Sequence, residues 1–599
     1  MKLGLWVLLV AVGACCGPQQ RRGVDEATTL ATIQRALPLI QHSQEVWIGE
    51  RECMSCHHQG LGMLALVVAR EHGATIDEPR FTAQVTAMQD ELDMNAEELV
   101  ATNAFFNGQF GGSYRSIALA TAGAPRGRWS DLMAHFVAGK QAPDGRWPSE
   151  LHRPPLEDRA ISATAWSIRA LQMFAPPNRA AEMKRRVARG VEWLAHQAPK
   201  ETEDAATQLL GLRWGGSPRA VRAPLATALL RTQRDDGGWA QLPTRKSDSY
   251  ATGQALVALH IAGELPTTDD AYQRGVAFLV RTQLADGSWH VRTRRKTNGL
   301  PYFETGYPHG IDQFISISGA SWAVMALALS HRPRTSSALL DERSHDIAAP
   351  REFDLSDVAV AGTVEELRAA LIAPLDVTGR DARLLAFGAV HDPARLQLVL
   401  DRGVPVSTRS IDGVSLLAAA ANYGGANASV SLLLERGASP RSDVDGEGRT
   451  PLMAAASRGE VASVRALLDA GAPLGEAFGT AAVSEHADVM GLLLERGATA
   501  NGPDYEQRPT LVWAVIDRNL ALVEYLLAHG ADINGRDPEG QTPLHWAAIV
   551  DPGTPAIIDR LVRGGADPLA TTNAGKTALD LAIEHENPLA VRALRAAQP

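Results

Sequence analysis

The most concentrated chemistry in this sequence is Cys53-Met54-Ser55-Cys56-His57. Two thiols three positions apart on a helical turn can form thioethers with both vinyl groups of a porphyrin. The adjacent His57 is then placed to ligate its iron, so the motif reads as covalent attachment of a c-type haem. Three other uses remain open. Cys53 and Cys56 can close a local disulfide in an oxidising compartment. Together with His57 or His58 they can bind zinc. They can also be packing residues of a helical repeat. The available sixth iron ligands are Met63, Met88, Met94 and His58, and the apolar stretch 61–69 could cover a porphyrin face. Three further runs mix polar and aromatic types: 154–158 with Glu157, 246–253 with Asp248, and 302–313 with Glu304, His309 and Asp312. These five residues are candidate acid–base groups; alternatively they cap helices and brace loops.

The elements around these groups begin with an export signal. Lys2 precedes an apolar run over 3–12, too short to cross a bilayer, which ends in Val12-Gly13-Ala14-Cys15. That ending resembles a bacterial lipobox. It implies a signal peptide over 1–15, a lipid on the Cys15 thiol, a polar tether over 16–30 and an exported protein of the bacterial cell envelope held at the membrane by its anchor. Haem is attached covalently outside the bacterial cytoplasm, so export agrees with the haem reading. No other segment reads as long and apolar enough to span a membrane. The four cysteines, Cys15, Cys16, Cys53 and Cys56, form no disulfide framework. A net charge of −10 argues against nucleic acid as a partner.

Residues 31–330 show apolar spacing of helical period, broken by Gly- and Pro-containing turns. A repeat runs through them. Gln141 leads to Asp144-Gly145-Arg146-Trp147, Gln233 to Asp236-Gly237-Gly238-Trp239, and Gln283 to Asp286-Gly287-Ser288-Trp289. A decayed copy, Arg189-Gly190-Val191-Glu192-Trp193-Leu194 with Gln197, lacks the Gly-x-Trp end. Gln can hydrogen-bond across to the next helix, Gly permits the turn and Trp packs over it. This repeat resembles the QW repeat of the squalene cyclase and prenyltransferase families. The resemblance implies an (α/α) toroid, with an inner and an outer ring of helices around a cavity that takes a hydrophobic, isoprenoid-like molecule. Inner-helix N-termini at one rim would let Glu157, Asp248, Glu304, His309 and Asp312 converge. The chain departs from these enzymes in its chemistry. It has no Asp-x-Asp-Asp tetrad, and no cysteine follows Cys56, so the prenyltransferase zinc site cannot form in the repeat region. Whether it is an enzyme of that superfamily stays open.

Residues 331–362 lose periodicity and read as a linker. Beyond them, over 363–599, leucine-rich helices end at Gly403, Gly437, Gly471, Gly497, Gly530 and Gly565, at intervals of 34, 34, 26, 33 and 35. Thr450-Pro451-Leu452, Thr542-Pro543-Leu544-His545 and Thr577-Ala578-Leu579 recur in phase, and Gly-Ala-Asp-Ile-Asn occupies 530–534. The Thr caps a first helix, Pro suits its first turn, and the Gly takes the left-handed backbone that ends the second. The pattern resembles ankyrin repeats, in which each unit buries its apolar face only against its neighbours. The short interval implies a repeat that has lost part of its turn. The expected fold is all-α, a toroid followed by an ankyrin solenoid, and the resemblance implies a protein partner for the solenoid.

Overall fold

The computed structural model describes residues 24–50, 56–102, 108–149, 155, 159–294, 304–333, 355–372, 374–441, 448–502, 508–550 and 554–597. Among them the only extended pairing is three isolated bridges, Trp239 with Asp248, Arg409 with Ser415 and Thr571 with Thr577.

The N-terminal half contains α1 (Glu26–Glu50), a π-helical turn (Cys56–Leu61) running into α2 (Gly62–Glu71), α3 (Glu78–Met94), α4 (Ala96–Val100), α5 (Gly108–Thr121), α6 (Arg128–Gly139), α7 (Ala160–Phe174), α8 (Ala180–Ala195), α9 (Thr202–Trp214), α10 (Arg219–Leu230), α11 (Ser249–Ile261), α12 (Asp270–Thr282) and α13 (Gln313–Leu329). Six of these units form a closed inner ring: α2 with its π-turn packs on α5, α5 on α7, α7 on α9, α9 on α11, α11 on α13, and α13 back on α2. The inner helices are apolar on nearly every face. In α11 and α13 almost every residue is buried, as a helix enclosed on all sides requires. The outer helices keep one polar face: α8 and α12 bury only a stripe, such as Met183, Val187 and Leu194. The segment 310–329 does reach the length and hydropathy of a membrane span, contrary to the sequence expectation, but 83% of its apolar window is buried within the ring.

The three complete Gln–Trp turns share one geometry. Gln141, Gln233 and Gln283 each donate through Nε2 to the turn glycine's carbonyl and to a carbonyl of another outer helix, Arg186, Ala271 and Thr32 respectively. Trp147, Trp239 and Trp289 each donate an indole N–H to a carbonyl ten residues back. The third turn ties α12 to α1, so the first helix closes the ring. In the decayed copy, Gln197 Nε2 donates only to Trp193 in its own helix.

The second half is a stack of helix pairs: α14 (Leu355–Ala361) with α15 (Val364–Ala370), α16 (Arg380–Ala389) with α17 (Pro393–Asp401), α18 (Leu416–Asn422) with α19 (Asn427–Glu435), α20 (Pro451–Arg458) with α21 (Val461–Asp469), α22 (Ala477–Val483) with α23 (Ala487–Glu495), α24 (Thr510–Ile516) with α25 (Leu520–Ala528), α26 (Pro543–Ile549) with α27 (Pro555–Arg563), and α28 (Ala578–Glu584) with α29 (Pro588–Ala597). The first helices cap as their sequence requires: Thr450 Oγ1 accepts from Met453 N at 3.2 Å and Thr577 Oγ1 from Asp580 N at 3.2 Å. His545 accepts from Thr542 N at 3.1 Å and reaches Lys576 O of the next repeat at 3.1 Å, so this residue braces two repeats. The short interval shows as the seven-residue connection 470–476 between α21 and α22.

Two boundaries differ from the sequence expectation. Helix α1 starts at Glu26, inside the expected tether 16–30, because Asp25 caps it through Thr28 N at 2.8 Å. The stack starts with α14, inside the expected linker 331–362, because α14 packs its apolar face on α16 and α6; a seven-residue helix is too short for its period to stand out in the sequence.

The array lies against the ring through the turns that link the two helices of each repeat. Gly424 N donates to Gly139 O at 2.7 Å, Asn422 Nδ2 to Thr102 O at 2.6 Å and Arg458 to Lys140 O at 3.0 Å. From the ring, Arg179 donates to the Tyr423 hydroxyl at 2.7 Å, Arg186 to Gly424 O at 3.0 Å and Arg146 to Ser484 and Glu485 carbonyl oxygens.

Candidate functional site

All inner helices begin at one rim of the ring, and the sequence-derived candidates lie along it. Asp248 is the N-cap of α11: its Oδ1 accepts from Ala251 N at 2.9 Å, and its Oδ2 accepts from Gln241 Nε2 at 3.0 Å. Burial pushes its carboxyl up to about 6, partly offset by these hydrogen bonds. Glu304 is exposed and accepts from Thr305 and Gly306 N–H groups at 3.2 Å. Asp312 accepts from Thr293 N at 2.8 Å and meets His290 Nε2 at 2.7 Å. His309, in left-handed backbone, meets Ser288 Oγ at 2.8 Å and stacks on His290; burial and the neighbouring His290 lower its pKa. These four side chains cap and brace rather than meet at one point. Glu157, Cys15 and Cys53 lie outside the described residues. Cys56 and His57 open the π-helical turn at the start of the first inner helix, and the description of that turn covers their backbone only.

The next residue, His58, is fully buried, stacked on Trp47 at 4.7 Å and edge-on to Phe314 at 5.6 Å. Helix α2 is spent between α13 and α5: Met63, Leu64, Ala65 and Leu66 are completely enclosed. The stretch 61–69 therefore packs the ring and is not free to cover a porphyrin face.

The rim also holds a buried polar centre built by the first turn of α9. Glu201, with 1% of its side chain exposed, pairs with Arg294 at 2.9 Å, lies 3.6 Å from Arg159, and is reached at 4.0 Å by Arg518 from the array. Asp204 lies 3.6 Å from Arg159 and accepts from Lys200 N at 2.9 Å. In the same turn, Glu203 Oε2 accepts from the Tyr250 hydroxyl at 2.9 Å, and Oε1 accepts from Ser162 Oγ at 3.1 Å, itself 3.2 Å from Thr207 Oγ1. Thr207 donates on to the Glu203 carbonyl at 2.7 Å. Burial, reinforced by Glu201, holds the carboxyl well above the usual range. The centre is thus a set of cross-bracing ion pairs around a carboxyl whose charged form is disfavoured by burial. Between it and the array lies a cleft of about 140 Å³ lined by Arg146, Arg159, Lys200, Asp204, Glu485 and Asp517. The sequence reading passed over 200–204; its signal was five polar residues at the N-terminus of an inner helix, where helical phase puts Glu203 inside the ring.

The raised Glu203 carboxyl sets a pH dependence. The folded state binds the Glu203 proton more tightly than the unfolded chain, so stability falls as pH rises above the unfolded carboxyl value and keeps falling toward the folded one. Glu203→Gln keeps hydrogen-bonding groups toward Ser162 and Tyr250 but cannot ionise. We expect its melting temperature to be flatter between pH 5 and pH 9 than that of the unaltered chain and higher at the alkaline end; equal slopes would mean that Glu203 is ionised when folded.

In the centre of the ring, Trp166 of α7 is tilted against Tyr114 at 4.3 Å, lies against Trp214 at 5.2 Å and meets Trp322 of α13 at 6.3 Å. Helices α7 and α13 stand opposite each other, so indole rings close the lumen at this level.

Residues 386–477 and 511–598 match the family model for ankyrin repeats, in three copies. Among solved structures, the crystal structure of the human ASB11 ankyrin repeat domain is similar at 29% identity, over 35% of this chain and 93% of that one, with a TM-score of 0.31. A search of curated proteins gives no match. The C-terminal half is an ankyrin-repeat array, a protein-binding architecture.

Proposed function

We propose that this chain is an exported bacterial envelope protein, lipid-anchored at Cys15, whose helical ring presents the ankyrin array to a protein partner. The supporting observation is the way the array docks. The ring occupies the inter-helix turns at 422–424, 458, 484–486 and 518. The opposite edge, formed by the hairpin connections, carries Ile411 and Leu569 at 73% and 61% exposure. Next to that edge Arg508 lies over the partly buried Trp546 of α26 at 5.6 Å and the buried Trp513 of α24 at 4.9 Å, and Trp and Arg are residue types that dominate binding energy in interfaces. Photo-crosslinkers placed at Ile411 and Leu569 in cells should give an adduct of one defined mass, weakened by Trp546→Ala. Absence of any adduct at both positions would overturn the reading. Palmitate labelling lost in Cys15→Ser tests the anchor.

For the ring, the Gln–Trp turns support a squalene cyclase or prenyltransferase-like scaffold, and a hydrophobic ligand would enter from the rim, above the Trp166 level. The second reading, a haem-bearing redox protein, rests on Cys53, Cys56 and His57. With 61–69 packed into the ring, a porphyrin held by these residues would lie outside α2 on the rim. A Soret band that survives denaturation and acid extraction is the result this second reading requires; stoichiometric zinc would replace it with the metal reading.

A further inference from the structure

We infer that the seam between ring and array is a proton-operated latch, in which protons taken up by His135, His391 and His486 release the array from the ring. The three imidazoles sit where the two halves meet, His135 and His486 each bonded to an arginine and His391 beside His135. His135, on α6, has Nε2 3.1 Å from Val100 O and Nδ1 3.2 Å from Arg179 NH1. Since the carbonyl can only accept and the guanidinium can only donate, this ring is the neutral Nε2–H form. Arg179, so held, donates to Tyr423 and Val360 of the array. His391, of the array, lies 5.4 Å from His135 and 6.0 Å from Tyr423, with Nδ1 2.8 Å from Gly388 O. His486 repeats the device at the other end of the seam: Nε2 is 3.1 Å from Ser457 O, and Nδ1 is 3.4 Å from Arg146 NH2, the arginine that also bonds Ser484 and Glu485.

The surrounding charges keep these rings neutral while the seam is closed. His135 and His391 face Arg179 and Arg186 from α8 and its lead-in and Arg395 from α17, against the carboxylate of Glu182, with Tyr423 beside them and Asp392, the residue after His391, 3.6 Å from Arg395. His486 faces Arg146 from the ring and Arg458 and Glu485 from the array; Asp144 pairs with Arg146, and Lys200 and Asp517 line the adjoining cleft with Arg146 and Glu485. Burial is the first cause and the arginines the second. Together they lower His135 and His486 to about 3 and His391 well below its ordinary value. Separation returns each ring to solvent and to an ordinary value near 6.5. The sign follows from linkage: the open form binds more protons below pH ~6.5, so acid favours opening. Between pH 7 and pH 5 each histidine shifts the equilibrium by about 25-fold, and three acting together by about 10⁴-fold. The ring also buries His58 and His72, but away from the seam; α13 carries no histidine and α11 only the partly exposed His260, so these two helices report whether the ring stays folded while the seam parts.

The test is hydrogen exchange and small-angle scattering on the full chain between pH 7.5 and pH 5. With intrinsic rates corrected, amides of α6, 422–424 and 484–486 should lose protection at pH 5 and the radius of gyration should rise, while α11 and α13 stay protected. A triple variant, His135→Gln, His391→Gln and His486→Gln, should remain closed at pH 5. The proposal is overturned if the unaltered chain keeps seam protection and radius at pH 5, if seam and core lose protection together, or if a folded triple variant opens at the same pH. Should the triple variant not fold, the exchange pattern of the unaltered chain decides alone.

Discussion

Gly287→Ala is expected to destabilise the ring by about 2–5 kcal/mol, from about 1–2 for placing a side chain in left-handed backbone and about 1–3 for overpacking. Gly287 has φ +91°, and a methyl group there would lie closer than 3.0 Å to the backbone carbonyl oxygen of Arg35 on α1. Backbone cannot step aside as a flexible side chain can. The same Arg35 gives its guanidinium to Gln283, whose Nε2 reaches Thr32 O at 2.8 Å. The substitution therefore pushes α1 away from α12 at the contact that closes the ring. Gly123 is the control: φ is +85°, and nothing lies within 4 Å of its would-be methyl, so Gly123→Ala should cost only the about 1–2 kcal/mol of backbone strain. Chemical denaturation followed by circular dichroism compares them. Equal losses would remove the clash, and with it the claim that the third Gln–Trp turn is the ring's clasp.

Much of this was readable in the sequence, because the repeats spell out local geometry. The spacing from Gln283 to Trp289 requires a tight turn after a helix, and the glycine in it requires positive φ; both follow from residue type alone. The same is true of Thr450 and Thr577, whose side chains cap the helix that follows them, and of Asp248, where capping was one of the two readings held open. What escaped was decided by tertiary position. Glu203 differs from an exposed helix-start glutamate only in that α9 is an inner helix, and no local signal distinguishes it from Glu365 in the first turn of α15. The docking of the array also left no periodic trace. Arg146 sits at the variable position of a Gln–Trp turn, Tyr423 and Glu485 sit in repeat turns, and their pairing spans more than 230 residues of chain. The stretch 61–69 misled for the same reason: its apolarity was plain, but which surface it covers depends on the ring closing around it.

Trp166→Ala should cost about 3–5 kcal/mol, the range for removing a large buried aromatic without collapse of the site. Collapse is hindered here because the indole is a hub between opposite sides of a closed ring: Tyr114 on α5, Trp214 on α9 and Trp322 on α13 all rest on it. A helix that moved inward to fill the space would have to break its contacts with both ring neighbours. Trp166→Phe separates packing from hydrogen bonding. The Trp166 indole N–H meets no acceptor among the described residues, so Phe deletes a buried unsatisfied donor and keeps an aromatic face. Trp239 is equally buried, but its N–H is accepted by Leu229 O at 3.0 Å; there the same change removes a hydrogen bond that is made, an additional about 0.5–1.5 kcal/mol, while Leu229 O keeps Thr232 N and Oγ1 as donors. The expected order of loss is therefore Trp166→Ala greatest, Trp239→Phe next and Trp166→Phe least, as read by urea denaturation. If Trp166→Phe proved as costly as Trp239→Phe, the Trp166 donor would have to be bonded in the folded protein, and the centre of the ring would be polar where these contacts make it a dry aromatic plug.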